Sequence, residues 1–221
     1  MDVKTLTGDL RLAFPIRYAE MPVTRMADEK DDDWKRREGQ TVLEPVVWAY
    51  HVPVSREVFE SNYRSLSAAN MTLFMRGPAF AIEAGPLIAT MTLRDAARLD
   101  ALESGLPFEG DPIAGLLGEL RRLTTILAPS PNGYSYEPVD IAISRGAITT
   151  EDWKEAESSL VFFTCGLWMA RREKRESKRA VLASVLRGLN TSSTVTEFAA
   201  SLQPSTTASP FVTPTQSSVP V

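Results

Sequence analysis

Residues 150–170 read TEDWKEAESSLVFFTCGLWMA, and this stretch decides the architecture predicted for the chain. Trp153, Ala156, Leu160, Phe163, Leu167 and Ala170 recur at spacings of three and four, the period of one face of an α-helix. Thr150 stands at the head of that face as a cap. Val161, Phe162, Trp168 and Met169 add apolar groups around the other faces. A helix apolar all round is either central in a core or shared with another chain, and both readings stay open at this point. Trp153, Leu160, Phe163, Leu167, Trp168 and Met169 are therefore the candidate partner-binding residues.

The segments before and after this helix carry the same period. Ser55 caps a helix with Phe59, Tyr63, Leu66, Asn70 and Leu73 on one face, closed by Gly77-Pro78. Gly85-Pro86 opens a second helix carrying Leu87, Ile88, Met91, Leu93, Leu99 and Leu102, which Gly105 ends. Asp111-Pro112 starts a third, whose stripe runs through Ile113, Leu116, Leu117, Leu120, Leu123 and Leu127. Pro129 to Gly133 must turn, and a short helix from Pro138 to Arg145 follows, closed by Gly146. Beyond Ala170 the basic stretch RREKRESKR leads into Val181, Leu182, Val185, Leu186 and Leu189, which continue the helical period.

The ends differ. Leu10, Leu12, Phe14, Ile16 and Tyr18 alternate, as do Val46, Trp48, Tyr50, Val52 and Val54, so two extended segments can pair into a small ribbon. Pro15 confines the first to an edge. Between them DEKDDDWKRRE, residues 28–38, has too little apolar surface to order itself and reads as a solvated loop. After Asn190 the composition turns to Ser, Thr and Pro. Thr194-Val195-Thr196-Glu197 matches a capping box for a short helix through Leu202, and the rest has no periodicity. The predicted fold class is mainly α: a helical domain over 55–190, preceded by an extended, charged-loop segment over 1–54 and followed by a disordered, flexible tail over 191–221.

Chemistry is thinly signalled. With 43% hydrophobic and 24% charged residues and a mean hydropathy of −0.12, the chain has the composition of an ordinary globular domain. His51 is the only histidine, on the strand face opposite Trp48 and Tyr50, where it reads as exposed. Cys165 is the only cysteine and lies inside an apolar run, which excludes an internal disulfide and hides a thiol. One His and one Cys cannot make a usual zinc set, the acidic run lacks the spacing of a calcium loop, and no glycine-rich phosphate loop occurs. Neither catalysis nor a cofactor is expected. A net charge of −4 weighs against a surface for nucleic acid, although Arg171 to Arg179 forms a local basic patch. The start of the chain lacks the pattern of a secretion signal, and Leu160 to Ala170 is too short to span a bilayer, so the expected location is the cytoplasm.

The runs VPVSREVFESNYRSLSAANMTLFMRGPAFAIEAGPLIATMTLRDAAR at 52–98 and GAITTEDWKEAESSLVFFTCGLWMARREKR at 146–175 resemble, in layout, the tail assembly chaperones of long-tailed bacteriophages. These small acidic helical proteins often have a late helix that enters through an I-T-x-E-D/E pattern and continues into apolar and aromatic residues, as Ile148 to Trp168 do here. The resemblance covers roughly residues 50 to 175. It implies a cytoplasmic protein of the infected host that binds the tape-measure protein, recruits tail-tube subunits and acts in several copies, a possible homo-oligomer. Apolar grooves that take amphipathic helices suit that role. A structural virion component, such as a tail-completion or connector protein, is the alternative built on the same helices, and a nucleic-acid-binding regulator using Arg171 to Arg179 is the third.

Overall fold

Alternation at the N-terminus builds more than a ribbon. In the computed structural model, which describes residues 10–23, 25, 28, 30–105 and 110–202, β1 (Arg11–Pro22) pairs antiparallel with β2 (Thr41–His51), and β2 with β3 (Thr124–Ser130). β4 (Gly133–Pro138) and β5 (Leu189–Thr191) complete a five-stranded antiparallel sheet in the order β4-β3-β2-β1-β5. The fold is α/β, which corrects the prediction of a mainly α chain with only a short extended segment at its start. The stripe from Ile113 to Leu127 misled, because α6 (Ala114–Arg122) stops at Leu123 and the β-branched Thr124, Thr125 and Ile126 continue as strand. Leu127 lies four residues past Leu123, so the helical spacing carries through a change of structure. The predicted turn is the tip of the β3–β4 hairpin, where Ser130 faces Gly133 and Gly133 takes a φ of 111° open to glycine.

Helices cover both faces of the sheet, unequally. Leu12, Phe14, Val47, Ala49, Ile126 and Ala128 face the main core, built with α2 (Arg56–Ser61), α3 (Tyr63–Met75), α5 (Gly85–Glu103), α6, α7 (Val139–Ser144), α8 (Thr150–Trp168) and α9 (Arg175–Val185). The short α4 (Pro78–Glu83) links α3 to α5. Ala13, Tyr50 and Leu127 face the other way, onto Phe198 and Ala199 of α10 (Val195–Ser201). The predicted capping box forms here, since Thr194 accepts from Glu197 N–H and Glu197 accepts from Thr194 N–H. Part of the expected tail is thus folded as β5 and α10, and residues 203–221 lie outside the described residues.

α8 is the central element, with buried residues on every face from Leu160 to Leu167. Its cap is Thr149, not Thr150, in a capping box with Asp152. α5 crosses it through three small residues, Gly85, Ala89 and Ala97, with Leu93 buried between them, and a Cβ on Gly85 would lie 2.6 Å from the Phe162 ring. Such small residues let two helix backbones approach closely. Among the described residues no helix is long and apolar enough to cross a membrane.

The β1–β2 pair outruns the sheet. β5 pairs only with Arg11 to Ala13, and β3 with β2 only from Trp48 to His51. Pro15 and Pro45, which cannot donate to a ladder, flank the register shifts just beyond those limits. From there residues 19–22 and 41–44 continue as a two-stranded arm in which every residue on the β2 side is exposed. Its tip is α1 (Asp31–Arg37), a correction to the predicted loop. Asp31, Asp32 and Asp33 in the first turn and Lys35, Arg36 and Arg37 in the last complement the helix dipole, and α1 buries none of its residues. Charge order rather than apolar burial makes it helical.

Candidate functional site

The six residues picked from sequence are split by the fold. Trp153, Leu160, Phe163 and Leu167 are buried inside the molecule, so a partner could touch them only if α8 left its place. Trp153 donates from its indole N–H to Glu157 at 3.1 Å and lies under the Arg121 guanidinium. Trp168 and Met169, at the far end of α8, reach the surface in part. The Trp168 ring stacks on Phe59 with centroids 5.5 Å apart, and Arg175 covers it at 4.7 Å.

Groups with chemistry are sealed in the same way. His51 shares the core face with Val47 and Ala49, so the sequence assigned its side of the strand correctly but not its exposure, because the main helical layer covers that side completely. Its Nδ1 lies 2.9 Å from the Thr124 hydroxyl, which itself donates to the Leu120 carbonyl at 2.7 Å. That geometry puts the proton on Nδ1 and leaves Nε2 buried without a hydrogen-bond partner. Burial pushes the imidazole pKa down to about 3 and the Cys165 thiol up to about 12. Glu157 is raised by burial, against the Trp153 hydrogen bond and the nearby Arg94 and Arg121. Asp152 goes the other way: burial opposes its charge, but hydrogen bonds from Thr149 and Arg17 more than compensate.

What sequence reasoning missed is on the outside. Tyr63, Met71 and Met75 of α3, Ile82 of α4, and Leu87, Met91, Leu99 and Leu102 of α5 are large apolar side chains left exposed, Met75 at 76%, Leu102 at 70% and Leu87 at 69%. Of the residues read as the α5 stripe, Leu93 is buried and Ile88 packs against the core, but Leu87, Met91, Leu99 and Leu102 turn to solvent, and Gly85, Ala89 and Ala97 make up the rest of the core side. The four-residue recurrence of Gly85, Ala89 and Ala97 was the signal that could have shown this. α3 and α5 run antiparallel, joined at one end by α4 and at the other by the Arg64–Asp100 ion pair at 2.8 Å. Eight large apolar side chains exposed along three consecutive helices are more than the singly scattered ones ordinary on a protein surface.

A second feature is a cleft of about 560 Å³ where α3, α8 and α9 meet. Phe74, Met169 and Val181 give it apolar walls, and Arg171, Lys174 and Lys178 give it charge. Lys178 lies over the Phe74 ring at 4.8 Å. No family model matches the chain, and no curated protein or solved structure matches it either.

Proposed function

We propose that this chain is a non-catalytic protein-binding chaperone and that its client surface is the outward side of α3, α4 and α5. The single observation carrying this reading is the set of large apolar residues that these consecutive helices leave exposed, from Tyr63 to Leu102. Met71, Met75 and Met91 suit a surface that must fit more than one apolar stripe, because the unbranched thioether repacks at little cost. The client is an amphipathic helical segment, laid along the antiparallel α3–α5 pair in the helix-in-groove manner. The tail assembly chaperones that residues 52–98 and 146–175 resemble supply the specific form: the client is the tape-measure protein, held soluble while tail-tube subunits assemble on it.

Met75→Glu combined with Leu87→Glu tests this reading. Both side chains are exposed, so thermal stability should hold, because surface changes usually cost within about 0.5 kcal/mol. In co-expression with the tape-measure protein of the same genome, the wild-type chain should raise that protein's soluble fraction and the double variant should not. Equal rescue by the two chains, or no rescue by the wild type, rejects the proposal.

A further inference from the structure

We infer that the cleft between α3, α8 and α9 is a docking site for the aspartate-bearing first turn of α1, at the tip of the β1–β2 arm, of a second copy of this chain. Arg171, Lys174 and Lys178 line it, no carboxylate does, and among the described residues none of the three forms an ion pair. Elsewhere Arg17, Arg56, Arg64, Arg94, Arg121, Arg122 and Arg145 each have a carboxylate within 3 Å. Cations without counter-charges are thus gathered at one concavity of a chain whose net charge is −4. An anionic group with an apolar neighbour fits it, the charge meeting Lys174 and Arg171 and the apolar part meeting Phe74, Met169 and Val181.

The chain carries such a group at its other end. Asp31, Asp32 and Asp33 form the first turn of α1, and half-buried Trp34 separates them from Lys35, Arg36 and Arg37, so the helix is charge-balanced as a whole and anionic only at its first turn. Asp31 is bonded to Arg25 and Asp33 lies 3.6 Å from Arg36, both on the exposed surface, where such pairs exchange readily with solvent. The arm that holds this turn is two strands wide with both edges open, an arrangement of marginal stability alone and stabilised by docking.

Geometry excludes the arm from its own cleft. Arg179 of α9 donates to the carbonyl of Leu10, and Arg17 is bonded to Asp152 in the first turn of α8. β1 therefore runs along α8 from its C-terminal end to its N-terminal end, a helix of 19 residues spanning about 28 Å. The arm then continues beyond that end by four residue pairs, about 13 Å. Gly166, Met169 and Ala170, which line the cleft, sit at the opposite end of α8. Tip and cleft belong to opposite poles, so their union is head-to-tail between copies, an interface that closes into a ring or propagates as a filament. This inference stands apart from the client surface: α3 lends Asn70 and Phe74 to the cleft, but none of the exposed apolar residues of that surface lines it.

Sedimentation velocity over a concentration series, at low and high salt, tests it with two charge-reversed chains. One is Lys174→Glu with Lys178→Glu, and the other is Asp31→Lys with Asp32→Lys and Asp33→Lys. The wild type should self-associate at low salt and dissociate as salt rises, and each reversed chain should lose about a hundredfold in self-association. An equimolar mixture of the two should assemble again, because each then meets an opposite charge. A wild type that stays monomeric throughout overturns the inference. So does assembly that both reversals leave intact, or assembly that salt leaves intact and Met75→Glu with Leu87→Glu dissolves. Duplex DNA is the control ligand: salt-sensitive binding of DNA that Lys174→Glu with Lys178→Glu removes, without wild-type self-association, assigns the cleft to nucleic acid and overturns the inference as well.

Discussion

His51 ties the stability of this fold to pH, and the size of the effect follows from its surroundings. The ring is fully buried, donates through Nδ1 toward Thr124, and has nothing to receive a proton charge at Nε2. Its pKa is about 3 in the fold against 6.5 for a free imidazole. The folded state thus refuses a proton that the unfolded state accepts between those two values. Stability from a neutral His51 is fully present above about pH 6.5, is lost as pH falls, and levels off below about pH 3. One pKa unit corresponds to about 1.4 kcal/mol, so the whole span is roughly 5 kcal/mol, of which about 2 kcal/mol is already lost at pH 5. For a domain whose total stability is about 5–15 kcal/mol, this is a large share.

Carboxylates such as Asp152 titrate in the same range and would confuse a single profile. Urea unfolding of wild type and His51→Gln, each at about pH 8 and about pH 5, removes them by difference. Glutamine keeps a donor toward Thr124 and does not titrate. Whatever His51→Gln costs at high pH, its deficit relative to wild type should shrink by about 2 kcal/mol on acidification. Parallel pH profiles for the two proteins would refute the reasoning, since they would mean that the native imidazole takes up its proton near its ordinary pKa.

Two further expectations concern packing. Gly85→Ala places a methyl group 2.6 Å from the Phe162 ring and should destabilise by about 1–3 kcal/mol, whereas Gly115→Ala, in open space on α6, should stabilise by roughly 0.5–1 kcal/mol. Opposite shifts in the thermal midpoint would bear this out; shifts of the same sign would not. Phe198→Ala removes the ring that packs on Trp48 and Tyr50 at 5.9 Å each, and should cost about 3–5 kcal/mol and move the tryptophan emission to the red. An unchanged spectrum and midpoint would show that α10 does not hold that side of the sheet.

Local signals did much of the work of placing elements. Ser55 caps α2, Gly77 and Gly146 close their helices at positive φ, and Thr194 with Glu197 starts α10, because each is a short-range hydrogen bond or backbone preference that needs only its neighbours. The β3 strand was hidden for the complementary reason. Leu120, Leu123 and Leu127 keep a helical spacing, and only the pairing of Thr124 to Leu127 with Trp48 to His51, more than seventy residues away, selects the extended form. The candidate surface was hidden too. A periodic stripe states that a helix has two sides without stating which one meets the core, and on α5 the closer fit of Gly85, Ala89 and Ala97 against α8 outweighed the greater hydrophobicity of Leu87, Met91 and Leu99.

The stretch 150–170 holds both halves of that lesson. Its sequence determined a helix and, from Leu160 onward, apolar groups on more than one face. Tertiary structure alone decided that the apolar surface from Leu160 to Leu167 is spent internally, because the sheet, α3, α5 and α9 surround it and leave Trp168, Met169 and Ala170, past its end, partly exposed. Apolar burial is proportional to area and indifferent to partner, so a sequence can show how much surface a helix must hide but not what hides it.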